Sequence, residues 1–162
     1  MATSDLYSPV LLEHSSDPEY KYQMDDATCT HEGVNPTCGD ELELSIRLDK
    51  DGVIEAAAFE GSGCAISQAS ADMMAELITG KTVQEARDLC DLFERMTRGE
   101  VSDPAELEKL GDAACLASIS RMPARLKCAQ LAWRTLDEMT EGKLGRAGGE
   151  QAIPWTALAA SL

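Results

Sequence analysis

Between residues 41 and 48 the chain alternates apolar and polar side chains with a period of two, and a turn follows. Leu42, Leu44, Ile46 and Leu48 fall on one side, and Glu41, Glu43, Ser45 and Arg47 on the other. That period belongs to a strand with one buried face, because a helix would scatter those apolar residues around its surface. Asp49-Lys50-Asp51-Gly52 supplies turn chemistry between the strand 41–50 and a returning strand 53–59. A lone hairpin is marginal in water, so its apolar face needs a covering layer from elsewhere in the chain.

The covering layer is helical. Thr82 and Glu85 form a capping box that opens a helix reaching about residue 97. Residues 65–79 read as a helix stopped by Gly80, after a tight loop Gly61-Ser62-Gly63-Cys64. Asp103, Pro104 and Glu106 start a short helix ending near Gly111, residues 113–120 read as helix, and Pro123 opens a final helix to about 141, closed by Gly142. Upstream, 5–14 reads as a short amphipathic helix whose start is marked by Ser8-Pro9, 15–26 as a loop, and 27–31 as a short strand. The expectation is an α+β fold: a three-stranded antiparallel sheet with helices packed on one face. Residues 1–142 form a single domain, and the Gly- and Ala-rich 143–162 a C-terminal tail, with Ile153-Pro154-Trp155 as a docking point.

Charge narrows the partners. With 14 basic and 29 acidic residues the net charge is -15, which repels nucleic acid and anionic lipid alike. No segment approaches the roughly 18 apolar residues of a membrane span. The start, Met1-Ala2-Thr3-Ser4-Asp5, has neither the basic nor the apolar region of a secretory signal. A cytoplasmic protein keeps its thiols reduced, so the six cysteines (29, 38, 64, 90, 115 and 128) read first as metal ligands, reactive thiols or core residues, and last as disulfides.

Three of them stand at structural boundaries. Cys38 lies in Asn35-Pro36-Thr37-Cys38-Gly39-Asp40 just before the long strand, Cys64 closes the Gly-rich loop at a helix start, and Cys128 sits in the first turns of the last helix. The hairpin leaves and returns on one edge, which brings Cys38 and Cys64 near each other. Helix N-termini and free backbone N–H groups favour thiolate. Three thiolates with Asp40 as the fourth ligand suit tetrahedral zinc. By spacing alone three buried cysteines explain the pattern as well, since there is no Cys-x-x-Cys pair.

Taken with their flanks, Asn35-Pro36-Thr37-Cys38-Gly39-Asp40, Gly61-Ser62-Gly63-Cys64-Ala65-Ile66-Ser67-Gln68-Ala69-Ser70 and Arg125-Leu126-Lys127-Cys128-Ala129-Gln130-Leu131-Ala132-Trp133 resemble the three cysteine motifs of the IscU/SufU family, over about residues 5–141. Lys127 stands where IscU-type scaffolds carry a His, and 93–112 resembles the extra segment of the SufU branch. The SufU resemblance implies a zinc-dependent sulfurtransferase that takes persulfide sulfur from a pyridoxal-phosphate cysteine desulfurase of the SufS type, with a SufBCD-type scaffold downstream. It implies zinc on Cys38, Asp40, Cys64 and Cys128. A desulfurase His displaces the cysteine matching Cys38, which then accepts sulfur. Arg125 matches an arginine beside the family's active site. The alternative on the same cysteines is a scaffold for iron or a nascent [2Fe–2S] cluster, and a third reading is a small module with structural zinc. Cys90 and Cys115 read as buried small hydrophobes, Cys29 as a strand cysteine, His14 and His31 as solvated or locally satisfied, and Met73, Met74 and Met96 as core.

Overall fold

The structure, a computed structural model, describes residues 8–36 and 39–142. In chain order these form α1 (Pro9–Ser16), β1 (Cys29–Asn35), β2 (Asp40–Leu48), β3 (Ile54–Ser62), α2 (Ala65–Ile78), α3 (Val83–Thr97), α4 (Pro104–Leu107), a 3-10 segment (Glu108–Arg121) and α5 (Pro123–Gly142). The strands make one antiparallel sheet in the order β1-β2-β3. Its register puts Cys29, Ile46 and Ala57 in one row and His31, Leu44 and Phe59 in the next, all six buried. Against the sheet pack α2, on β3, and α5, on β1 and β2. The fold is the α+β arrangement that the alternation demanded.

Local chemistry explains the boundaries. Ser8 caps α1 by accepting the Leu11 N–H, with Pro9 following, so this helix starts where the Ser8-Pro9 signal placed it; residues 1–7 lie outside those described. The capping box of Thr82 and Glu85 is formed as expected. Strand β1 runs on to Asn35 where the sequence suggested an end at His31. Gly33 is the reason: a Cβ there would run into Thr135 Oγ1 of α5, so the bare backbone lets strand and helix close up. Strand β3 likewise takes in Gly61 and Ser62, read above as loop, because they pair with Leu42 and Glu41. Residues 113–120 wind as 3-10 turns, not as an α-helix, and the segment kinks at Gly111, whose φ of 55° no helix accommodates. Met73, Met74 and Met96 are buried as expected. The tail 143–162, with Ile153-Pro154-Trp155, lies outside the described residues.

One buried clamp fixes the relation of the helices. Trp133 of α5 stacks on Phe93 of α3 with ring centroids 4.1 Å apart. Its indole N–H donates to Ser70 Oγ of α2 (2.9 Å), and that hydroxyl donates to the Ala129 carbonyl of α5 (2.7 Å). Such a fully satisfied buried network holds three helices in one geometry.

Candidate metal centre

Asp40 opens β2 opposite Asn35, and its carboxyl is buried. Cys64 is the N-cap of α2, in extended conformation (φ -76°, ψ 171°), and its thiol makes no capping hydrogen bond. Most helices cap with an oxygen at this position; here the side chain is left for other use. The Cys64 N–H donates to Asp40 Oδ1 (3.1 Å), which ties the start of β2 to the start of α2. Cys128 is buried one residue before Ala129, so the Ser70 clamp that seats α5 against α2 also brings Cys128 to the N-terminal end of α2. The outcome is a cluster in which a carboxylate oxygen of Asp40 and the sulfurs of Cys64 and Cys128 all lie within 4.8 Å of one another.

The donor set fits zinc. A tetrahedron with metal–sulfur bonds of about 2.3 Å has edges of about 3.7 Å, which falls inside that spacing. Soft thiolates with one carboxylate disfavour magnesium and calcium. Cys38 lies outside the described residues, as does Thr37. The chain on either side is anchored: Gly39, at φ 75°, donates its N–H to the Asn35 carbonyl (2.9 Å), and Asn35 faces Asp40 across the sheet.

The remaining thiols are placed differently. Cys29 is buried on β1 beside Ile46. Cys90 lies against the Trp133 carbonyl, and burial pushes its thiol pKa far up. Burial also pushes Cys115, only partly buried, up to about 11. Both are neutral small hydrophobes, as read from sequence. Arg125 and Lys127 are exposed in the first turns of α5, and neither makes an ion pair among the described residues. The histidines correct the expectation. Neither is solvated or satisfied locally: His14 binds Asp72 and Asp112, and the buried His31 meets Glu138 (2.8 Å) at the far end of the chain. A lone histidine in a polar stretch gives no sign of partners so distant in sequence.

Comparison with known proteins gives the family and the fold. The NifU-like N terminal domain matches residues 6–129. The chain belongs to this family. A family member from Thermotoga maritima, named iron-sulfur cluster assembly scaffold protein IscU, is 43% identical over 133 residues, 82% of this chain and 91% of that one. The zinc-dependent sulfurtransferase SufU of Bacillus subtilis is 40% identical over 133 residues, 82% of this chain and 88% of that one. A solved family structure, described as an iron-sulfur cluster assembly scaffold protein for the SUF system of Fervidobacterium islandicum, superposes with a TM-score of 0.75 at 37% identity, over 82% of this chain and 95% of that one. Family members thus carry scaffold and sulfurtransferase names at nearly equal distance from this chain. Among the described residues no helix is long and apolar enough to cross a membrane.

Proposed function

We propose that this family member holds one zinc ion through Cys38, Asp40, Cys64 and Cys128 and acts as a sulfurtransferase, accepting persulfide sulfur on Cys38 for iron–sulfur cluster assembly in the cytoplasm. The observation that carries the reading is the convergence of Asp40, Cys64 and Cys128 within 4.8 Å from three separate elements. Cys38 is two residues from Asp40, which limits their Cα separation to about 7 Å. When bound, zinc keeps the thiolates deprotonated without redox chemistry of its own.

The donor is a cysteine desulfurase of the SufS type, whose pyridoxal phosphate generates an enzyme persulfide. The Cys38 thiolate attacks the outer sulfur, the desulfurase S–S bond breaks, and the desulfurase cysteine leaves as thiolate, with Cys38 carrying the new S–S bond. No electrons are gained or lost overall. Arg125 and Lys127, both exposed beside Cys128, give a cationic approach for the anionic persulfide on an otherwise acidic molecule. A SufBCD-type scaffold receives the sulfur downstream.

The test combines the protein with cysteine and a SufS-type desulfurase and maps the added sulfur by non-reducing peptide mass spectrometry. Extra sulfur is expected on the Cys38 peptide, and Cys38→Ser abolishes desulfurase stimulation. Sulfur found on Cys64 in the parent, with Cys38→Ser still accepting, overturns the assignment. The names of the IscU relatives favour a second reading, a scaffold for a nascent [2Fe–2S] cluster on the same residues. Reconstitution with iron and sulfide that yields a stable visible chromophore, together with zinc-independent behaviour towards the desulfurase, supports that alternative.

A further inference from the structure

We infer that Ser67 is a positioning residue for the metal centre, holding the Gly63–Cys64 segment so that it presents both a sulfur and an oriented carboxylate. The inference rests on the zinc reading above. Ser67 sits in the first turn of α2, buried, and its hydroxyl donates to the Cys64 carbonyl (3.0 Å). The same carbonyl accepts the Gln68 N–H (3.1 Å), the first helical bond of α2. On the other side of the residue, the Cys64 N–H donates to Asp40 Oδ1. Cys64 is therefore gripped through its backbone at both ends, by Ser67 and by Asp40, while its thiol is spared capping.

Gly63 shows how tightly these parts are fitted. A Cβ there would lie 2.7 Å from Asp40 Oδ1 and closer still to Ser67 Oγ. The hydroxyl and the carboxylate thus flank one glycine and leave no room for a methyl group. Ser67 closes one wall of this slot, and the Asp40 carboxylate the other. Without the hydroxyl, the Cys64 carbonyl keeps only the Gln68 N–H and the slot beside Gly63 opens on the side opposite the carboxylate, so Cys64 gains room to tilt and the Asp40 oxygens lose part of the orientation set by the Cys64 N–H. Outer-shell partners of this kind change metal affinity about 10–100-fold. Resting stability is less affected, because the Gln68 bond still starts the helix.

The experiment measures metal release to a chelator from zinc-loaded full-length protein, with cobalt(II) as the spectroscopic probe. Ser67→Ala is expected to release zinc about tenfold faster at unchanged stoichiometry, and to shift the ligand-field bands of bound cobalt. Its metal-free form should unfold at the parental temperature. Ser67→Thr, which keeps the hydroxyl, is expected to restore the parental rate and spectrum. Gly63→Ala supplies an independent arm: by pushing on Asp40 and Ser67 together it should speed release at least as much. Parental release and an unshifted spectrum in Ser67→Ala overturn the inference, and the same result in Gly63→Ala shows that the slot is not tight. So does a metal-free Ser67→Ala form destabilised as much as its zinc-loaded form, which marks an ordinary packing role. A parent that binds no zinc overturns the zinc reading itself, and a zinc-loaded parent with an unaffected Ser67→Ala overturns only the role of Ser67.

Discussion

Among the described residues, two places gather three potential metal ligands within 4.8 Å: Asp40, Cys64 and Cys128 at the sheet end of α2, and His14, Glu76 and Asp112 where α1 meets α2 and the 3-10 segment. They are alike in spacing and opposite in chemistry. At the first, Cys64 is fixed through its backbone N–H and carbonyl, and its thiol makes no capping hydrogen bond. At the second, the ligand atoms themselves are spent. His14 Nδ1 lies 2.6 Å from Asp72 Oδ2 and Nε2 lies 2.9 Å from Asp112 Oδ2. A carboxylate oxygen faces each ring nitrogen, an arrangement that favours the doubly protonated imidazolium, and the His14 pKa is accordingly raised despite burial. In that form the ring has no lone pair for a metal. Spacing alone therefore does not make a metal site; the chemistry of the donors decides, thiolates at the first place and a histidine between carboxylates at the second.

The sharpest way to break this comparison is to delete one donor from each place. Cys128→Ser should reduce zinc content from one ion per chain to a trace, a loss in affinity of at least about 100-fold, beyond the range for outer-shell changes. Asp112→Asn should leave zinc content unchanged. Elemental analysis of both variants, purified without chelators, checks the pair. Chelation of zinc from the parent should also lower its unfolding temperature, because the ligands tie β2, α2 and α5 together. Zinc retained by Cys128→Ser, or lost from Asp112→Asn, reverses the assignment of the two places.

The two regions were also unequally legible in the sequence. The alternation of 41–48 and the Thr82–Glu85 capping box are local codes, and both elements formed where they were read. Cys64 at a helix start and Asp40 beside a motif cysteine could be singled out for the same reason: boundary residues announce themselves by turn and cap chemistry. That Cys128 joins them depends on Ser70, Trp133 and Phe93, a clamp between three helices that no local pattern reveals. Ser67 was invisible as a functional residue, since a serine in a first helical turn is ordinary; only the space around Gly63 singles it out. His14 was misread because its partners stand 58 and 98 residues away. Gly33 and Gly61 concealed the true lengths of β1 and β3, because glycine lowers strand propensity at the very places where backbones approach closely.

A smaller effect is expected from cutting the His14 bridge outright. His14→Gln keeps a polar side chain but removes the charge that pairs the buried Asp72 with Asp112. Hydrogen bonds to charged groups are worth about 1.5–3 kcal/mol, so a loss of about 2 kcal/mol is expected. Leu11, fully buried, keeps α1 attached, and Asp72 retains the Tyr20 N–H (2.8 Å). Urea unfolding measures the loss, and faster hydrogen exchange confined to α1 and its contacts localises it. Unchanged stability in His14→Gln removes the distinction drawn here between a charge bridge and a metal site.

The smallest effect is titration of the same bridge, which removes one proton and leaves the ring in place. Burial pulls the His14 pKa down, but the hydrogen bonds of Asp112 and Asp72 and the charges of Asp72 and Glu76 outweigh it, and the net shift is upward. Glu13 of α1, and Asp17 and Glu19 just beyond it, add further negative charge around the ring, and no cation lines this pocket besides His14 among the described residues. The unfolded chain titrates this group near the ordinary value of about 6.5. Where the folded value is the higher one, the native state binds the proton more tightly. The stabilisation is therefore complete below about pH 6.5 and is lost as pH rises through the folded pKa. The stability difference between parent and His14→Gln should accordingly be largest below about pH 6.5 and shrink as pH rises through the raised folded value. Glu76, which faces the same ring, is raised as well, chiefly by burial. Proton titration of the His14 ring followed by NMR gives the folded value directly. A midpoint below about 6.5 means that burial dominates, that the ring is neutral near neutral pH, and that one of its nitrogens is open to a metal after all, which would bring the two regions closer in kind than their bonding suggests.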